Sequence, residues 1–348
     1  MTTIPDIDQD YMLRMLVELL NIPSPTGRAD PAIERVASEM SGMGIATGRT
    51  VKGGLLGTVE GLAGDTPRGL TAHADTLGAM VKEIKSNGRL RLTKLGGFSW
   101  NAVEGEGCSV FTAAGRAIRG TILIRKASSH VHGGELDELK RDDENMEVRL
   151  DARTLSQEDT LALGIHVGDF VAFDPRVEVG DEGFIRSRHL DDKAGVACLL
   201  AALNALVRAG LRSGQRTTIH ISNYEEVGHG AAGVPGDLAE LVAIDMAAVG
   251  EGQASDEFHT TICLKDSGGP YHAGLSARLR TLAEDQHIPY RLDTYPHYGS
   301  DAEAFWRAGA DAQVALFGPG VDASHNYERT HLDALDATAR LALAYLIS

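Results

Sequence analysis

The chain is short of cysteine, positive charge and long apolar runs, and each shortage excludes a class of protein. Cys108, Cys198 and Cys263 are odd in number, far apart and without CxxC spacing, so neither a disulfide framework nor a zinc knuckle is indicated. Cys198 lies in an apolar helical stretch and reads as a core residue. With 33 Lys and Arg against 49 Asp and Glu, the formal net charge of -16 argues against a nucleic-acid footprint. Some of that acidity can instead serve metal ligation. The opening MTTIPDIDQDYMLRMLVELL carries acidic residues where a signal peptide carries basic ones. No later run approaches the roughly 18 apolar residues of a membrane span, so a cytoplasmic protein is expected, with neither membrane nor nucleic acid as a partner. Internal repeats, low-complexity segments and Gly-rich phosphate loops are also lacking.

What is present suits a globular chain: 348 residues, 43% hydrophobic and 24% charged, enough for a large core or two domains. The pattern predicts a helix from about Asp8 to Leu20, then a second with Asp30 as N-cap and Pro31 at its first position. GLTAHAD at 69–75 reads as a strand. From Thr76 the character changes to short alternating strands separated by glycines: GAMVKEI, GRLRLTKLG, GRAIRGTILI and VGDFVAFDP. A charged loop is expected at 135–147. After Asp174 apolar strands alternate again with amphipathic helices, ending in a helix from about Leu332. The expected fold is an α/β domain built from residues 1–75 and 174–348, interrupted by a small β unit over 76–173.

Five segments carry candidate chemistry. In His73-Ala74-Asp75, residues two apart on a strand face the same side, and Asp75 is placed to fix the tautomer and orientation of a His73 ligand. In isolation it also reads as a surface histidine beside a turn aspartate. In Leu190-Asp191-Asp192-Lys193, acidic residues at a helix start complement the helix dipole, or one carboxylate spans two cations with its two oxygens. Asp191 is the favoured bridge. In Asn223-Tyr224-Glu225-Glu226-Val227-Gly228, adjacent carboxylates at a strand end suggest cations or unequal protonation, the alternative being an exposed acidic loop. If functional, one glutamate ligates metal and the other acts as general base on water. Asp245 ends the apolar run LVAI, where a buried charge needs a metal, a cap or an ion pair. His325, in ASHNYE with His331 nearby, is weak alone. The set is stronger than its members, because nearly all fall where strands end, the usual ligand edge of an α/β sheet.

In this order, together with Gly299-Ser300-Asp301-Ala302 and the final His-x-x-Glu, the segments resemble the M42 family of metallo-aminopeptidases, the TET and glutamyl aminopeptidase type. The resemblance spans essentially the whole chain. It implies a three-layer sheet-and-helix metallopeptidase domain with an inserted β-barrel-like dimerisation domain at 76–173. Asp191 then bridges two divalent metal ions, His73 and Asp245 complete one site, and Glu226 and His325 complete the other. Glu225 becomes the general base, Asp75 the partner of His73, and the Asp191-Asp192 peptide is expected to be cis. Zinc or cobalt suits these ligands, and manganese is compatible. The resemblance further implies hydrolysis of N-terminal residues from short peptides with a free N-terminus, and a homo-oligomer built from dimers, up to a tetrahedral dodecamer. SRHLDDKAGVA and ASHNYERTH resemble most closely a bacterial branch associated with the osmolyte N-acetylglutaminylglutamine amide.

Three alternatives remain at this point. A related M20-type metal-dependent amidase, deacylase or carboxypeptidase uses much the same ligands, but predicts an α+β lid rather than an insertion of strands. A glycosidase needs carboxylates about 5 Å or more apart across a sugar bond, which adjacent glutamates supply poorly. A non-catalytic metal-stabilised scaffold would fit better had Glu225 been replaced.

Overall fold

Local chemistry sets the first helix, Gln9–Leu20: the Asp8 carboxylate caps it by accepting the Tyr11 amide at 3.0 Å, and Tyr11, Met12, Met15, Leu16 and Leu19 make its buried stripe. In the computed structural model, which describes residues 4–348, the second helix runs Asp30–Gly42 with Ala29 as its N-cap. Asp30 was expected to cap but stands one position inside. No side chain caps that helix, and Asp30 instead pairs with Arg49.

Two units divide the chain, one of Met1–Asp75 with Arg176–Ser348 and one of Thr76–Pro175. In the first, four neighbouring strands run parallel, in the order Ser213–Ser222, Gly61–His73, Glu240–Ile244 and Gln313–Asp322. Further strands, most of them paired antiparallel, extend the sheet to 12, with Ala247–Val249 parallel to Gln313–Asp322. Alternation along the strands sorts the core into two faces. Val242, Ile244, Ala315 and Phe317 pack with the helices Gln9–Leu20, Leu190–Arg208 and Leu332–Ile347. Leu241, Ala243, Val314 and Leu316 pack with Ala302 and Phe305 of the helix Asp301–Arg307. Strands buried on both faces, with helices on each side, make this a three-layer α/β unit. The Leu190–Arg208 helix is apolar almost all round and almost wholly buried, which places it at the centre of its layer.

The second unit is a closed six-stranded barrel, in the order Gly78–Ile84, Leu90–Leu95, Met146–Leu150, Ala117–Ile124, Gly107–Phe111 and Phe170–Phe173. Closure leaves no strand edge unpaired around the ring. The charged segment at 135–147 is not all loop: it holds the short helix Glu135–Glu138 and ends in the strand Met146–Leu150. Glu147 hid that strand from the sequence pattern. It is 2% exposed and paired with both Lys85 and Arg89 at 2.6 Å. Among the described residues, no helix is long and apolar enough to cross a membrane.

Candidate metal centre

The carboxyl ends of the four parallel strands deliver the site. His73 is the last residue of its strand and stands in register with Ser222, the last residue of the neighbouring one. Asn223 and the glutamate pair follow Ser222, Asp245 follows Ile244, and His325 lies three residues beyond Asp322. Asp191 comes from the start of the long central helix, where Asp191 and Asp192 are non-helical and joined by a cis peptide bond. Gly318 lets two strands close up beside Asp245: a Cβ there would stand 1.7 Å from the Asp245 carbonyl oxygen. Left-handed backbone at His189, Tyr224, Ala323 and His325 flanks the ligand-bearing turns, a conformation that non-glycine residues hold only where surrounding structure enforces it.

These turns converge. Asp191 Oδ1 lies 3.0 Å from His73 Nε2, and its Oδ2 lies 3.1 Å from His325 Nε2. His325 Nε2 is also 3.6 Å from Glu226, while His73 Nε2 is 3.6 Å from Glu225 and 4.0 Å from Asp245. All six side chains named from the sequence for ligand and base roles therefore meet. His331 does not join them: it caps the last helix, its Nδ1 accepting the Asp333 amide at 3.1 Å.

Asp75 is adjacent but placed differently from the expectation. The carbonyl oxygen of Asp75, rather than its carboxylate, lies 2.9 Å from His73 Nδ1, and the nearer carboxylate oxygen is 3.8 Å away. The His73 ring can donate there and leave Nε2 facing Asp191. The Asp75 carboxylate accepts the Thr26 hydroxyl and the Glu225 and Glu226 amides instead.

The electrostatics follow from burial. Burial, reinforced by neighbouring carboxylates, raises Glu225 well above the usual range, Glu226 to about 8 and Asp245 to about 7. Burial also raises Asp191, but hydrogen bonds to His325 and His73 outweigh it and hold Asp191 below the ordinary range. Burial disfavours charge on both histidines too, yet the surrounding carboxylates raise His73 well above its usual value and His325 to about 10. So many buried acids close together call for compensating positive charge.

The donor set fits divalent cations. Ligand atoms of His73, Glu225 and Asp245 lie within 4.8 Å of one another, and buried Glu226 Oε1 has no hydrogen-bond partner. Mixed imidazole and carboxylate donors suit zinc, cobalt or manganese. That triad includes Glu225, the residue read from the sequence as the base, so proximity alone does not separate ligand from base. The His325 side chain is 37% exposed and that of Asp191 8%, which marks the His325 side as the open mouth.

Several supporting residues escaped the sequence reading. Asp192 accepts the His73 amide at 3.2 Å and the Gly195 amide at 3.1 Å, tying helix start to strand end. Glu328 accepts the Asp191 and His325 amides at 3.2 and 2.9 Å. Asp301 accepts the Ala231 amide at 2.7 Å, just beyond the glutamate turn. Asp192, Asp301 and Glu328 each sit inside a segment already singled out, so their position in a motif was visible, but not which amides they hold.

The family model for M42 glutamyl aminopeptidase matches residues 53–341. A curated relative from Bacillus subtilis (strain 168), named "Putative aminopeptidase YhfE", is 48% identical over 337 residues, covering 97% of each chain. Two solved structures share the fold. An aminopeptidase from the archaeon Desulfurococcus kamchatkensis superposes with a TM-score of 0.87 at 23% identity, covering 98% of this chain and 95% of its own. The TET1 peptidase of Pyrococcus horikoshii, which can assemble into a tetrahedron or a large octahedral shell, gives 0.84 at 23% identity, covering 97% and 99%.

Proposed function

This chain belongs to the M42 glutamyl aminopeptidase family, and from that premise we propose that it removes N-terminal residues from short peptides using two divalent cations. His73 and Asp245 would hold one cation, Glu226 and His325 the other, and Asp191 both. The observation that carries this reading is the Asp191 carboxylate, which offers one oxygen toward each histidine at 3.0 and 3.1 Å. When bound, the cations would acidify water, polarise the scissile carbonyl and hold the substrate's free α-amino group.

The chain's own residues then move the proton. Glu225, raised by burial and by its carboxylate neighbours, takes a proton from the attacking water and returns it to the leaving amine. The Asp75 carboxylate holds the Glu225 and Glu226 amides at 3.2 and 3.4 Å, keeping base and ligand in one rigid turn. The buried walls exclude bulk water, so each charge acts at low dielectric. The closed barrel at Thr76–Pro175 gives no support to the M20-type alternative, which predicts an α+β lid.

Homo-oligomerisation belongs to the same reading, by analogy with the shells of the Pyrococcus horikoshii TET1 peptidase. In this chain the barrel unit exposes Val131, Leu155, Leu161 and Val167, apolar surface suited to a second copy.

The deciding experiment compares aminoacyl anilides carrying a free or an N-acetylated amine, with the protein stripped of metal and reloaded with zinc, cobalt or manganese in turn. Hydrolysis of the free-amine substrate alone supports the reading. Cleavage of the acetylated form, or of neither with any metal, contradicts it.

A further inference from the structure

We infer that Thr26 is a positioning residue of this centre, acting through Asp75 on the turn that carries Glu225 and Glu226; the inference rests on the peptidase reading above. Asp75 is fully buried, and its carboxylate is committed to that turn. Oδ1 accepts the Glu225 amide at 3.2 Å, while Oδ2 accepts the Thr26 hydroxyl at 2.7 Å and the Glu226 amide at 3.4 Å. The Thr26 hydroxyl makes the shortest of these bonds, so it sets which way Oδ2 points. A buried carboxylate that loses one donor must turn toward another or carry the desolvation cost. Either way the two amides, and the glutamates on them, shift.

The segment around Thr26 is built as a brace. Pro23 and Pro25 restrict the backbone on both sides of Ser24, whose hydroxyl donates to the Ala74 carbonyl at 2.8 Å. Gly27 takes a φ of 88°, which lets its amide reach Asn223 Oδ1 at 3.1 Å. The same Asn223 oxygen accepts the Tyr224 amide at 3.0 Å. Lys193, fully buried, anchors the start of the segment by donating to the carbonyls of Leu19 and Ile22 at 2.8 and 2.7 Å. The brace thus joins the turn after His73, the glutamate turn and the central helix, all from residues far away in sequence. Its target is the turn of the glutamates and not the His73 ring, which is served by the Asp75 main-chain carbonyl at 2.9 Å.

The test uses Thr26→Val, which keeps the shape and removes the hydroxyl, and Thr26→Ser, which keeps the hydroxyl. Thr26→Ala serves in place of valine should valine crowd the site. Three readouts are taken on metal-loaded protein: amide hydrogen exchange over 223–231, kcat and KM on a free-amine aminoacyl anilide, and zinc affinity by titration. In Thr26→Val the Glu225 and Glu226 amides should exchange about tenfold faster and kcat should fall about tenfold, the size expected for one buried hydrogen bond. KM should hold, zinc should bind more weakly at the site that Glu226 completes, and serine should restore the wild-type values. Unchanged exchange and kcat in Thr26→Val would overturn the inference. So would a fall in kcat and in zinc affinity with unchanged exchange at the Glu225 and Glu226 amides, since that places the effect away from the turn. If the wild type cleaves no aminoacyl substrate, the peptidase reading falls, while the exchange comparison still decides the brace.

Discussion

At the scale of the residue, the centre is a set of acids that folding has made hard to ionise. Burial first, and neighbouring carboxylates second, raise Asp245 to about 7 and Glu226 and Glu328 to about 8. His325 rises to about 10, because the Asp191 and Glu226 carboxylates outweigh its burial. All four bind protons more tightly in the folded chain than in the unfolded one, so stability falls as pH rises. For the acids the loss begins above their ordinary values of 3.8 and 4.5 and is complete by about 8. For His325 it runs from 6.5 to about 10. Asp191 shifts the opposite way, and its contribution is lost only as pH falls below the ordinary carboxylate range. The urea midpoint of metal-stripped protein should therefore decrease from pH 5 to pH 9, and zinc should flatten that slope by replacing protons. A midpoint that rises with pH in the stripped protein would contradict these shifts.

Elements decided how much of this could be read in advance. The central helix was legible because its run from Ala194 to Leu206 is apolar nearly all round, and the parallel strands because they are continuous apolar runs ending in polar residues. Most ligand-bearing segments were legible for the same reason, since they begin where such a run stops, whereas Asp191 opens the central helix. The barrel was only partly legible. Its strand Met146–Leu150 carries a buried glutamate whose partners, Lys85 and Arg89, lie about 60 positions earlier, and periodicity cannot foresee a distant ion pair. Edge strands such as Glu178–Val179 are too short and exposed to show a pattern. The role of Asp75 was misread for a related reason. Spacing two along a strand put its side chain on the His73 face, but the strand ends at His73, and beyond it the chain presents a carbonyl to the ring. Thr26 lay outside every motif, because a hydroxyl between proline and glycine has no pattern of its own.

At the scale of the molecule, the chain divides into two units, and both carry exposed apolar side chains. The α/β unit buries its acids at one sheet edge, and the barrel unit exposes Leu155, Val167 and Val131, which are 82%, 65% and 73% exposed. If those residues meet a second copy, Leu155→Glu with Val167→Glu should shift the mass measured by light scattering downward and leave zinc stoichiometry unchanged. An unaltered mass would remove the barrel from the interface. The two-cation centre is read out by zinc stoichiometry, measured by calorimetric titration. Wild type and Glu225→Gln should each bind two zinc ions per chain, with activity lost by roughly 100-fold or more only in the glutamine variant. Asp191→Ala should lose both high-affinity sites together, because one carboxylate serves both. Two sites surviving in Asp191→Ala, or one site lost in Glu225→Gln, would contradict the shared-carboxylate centre.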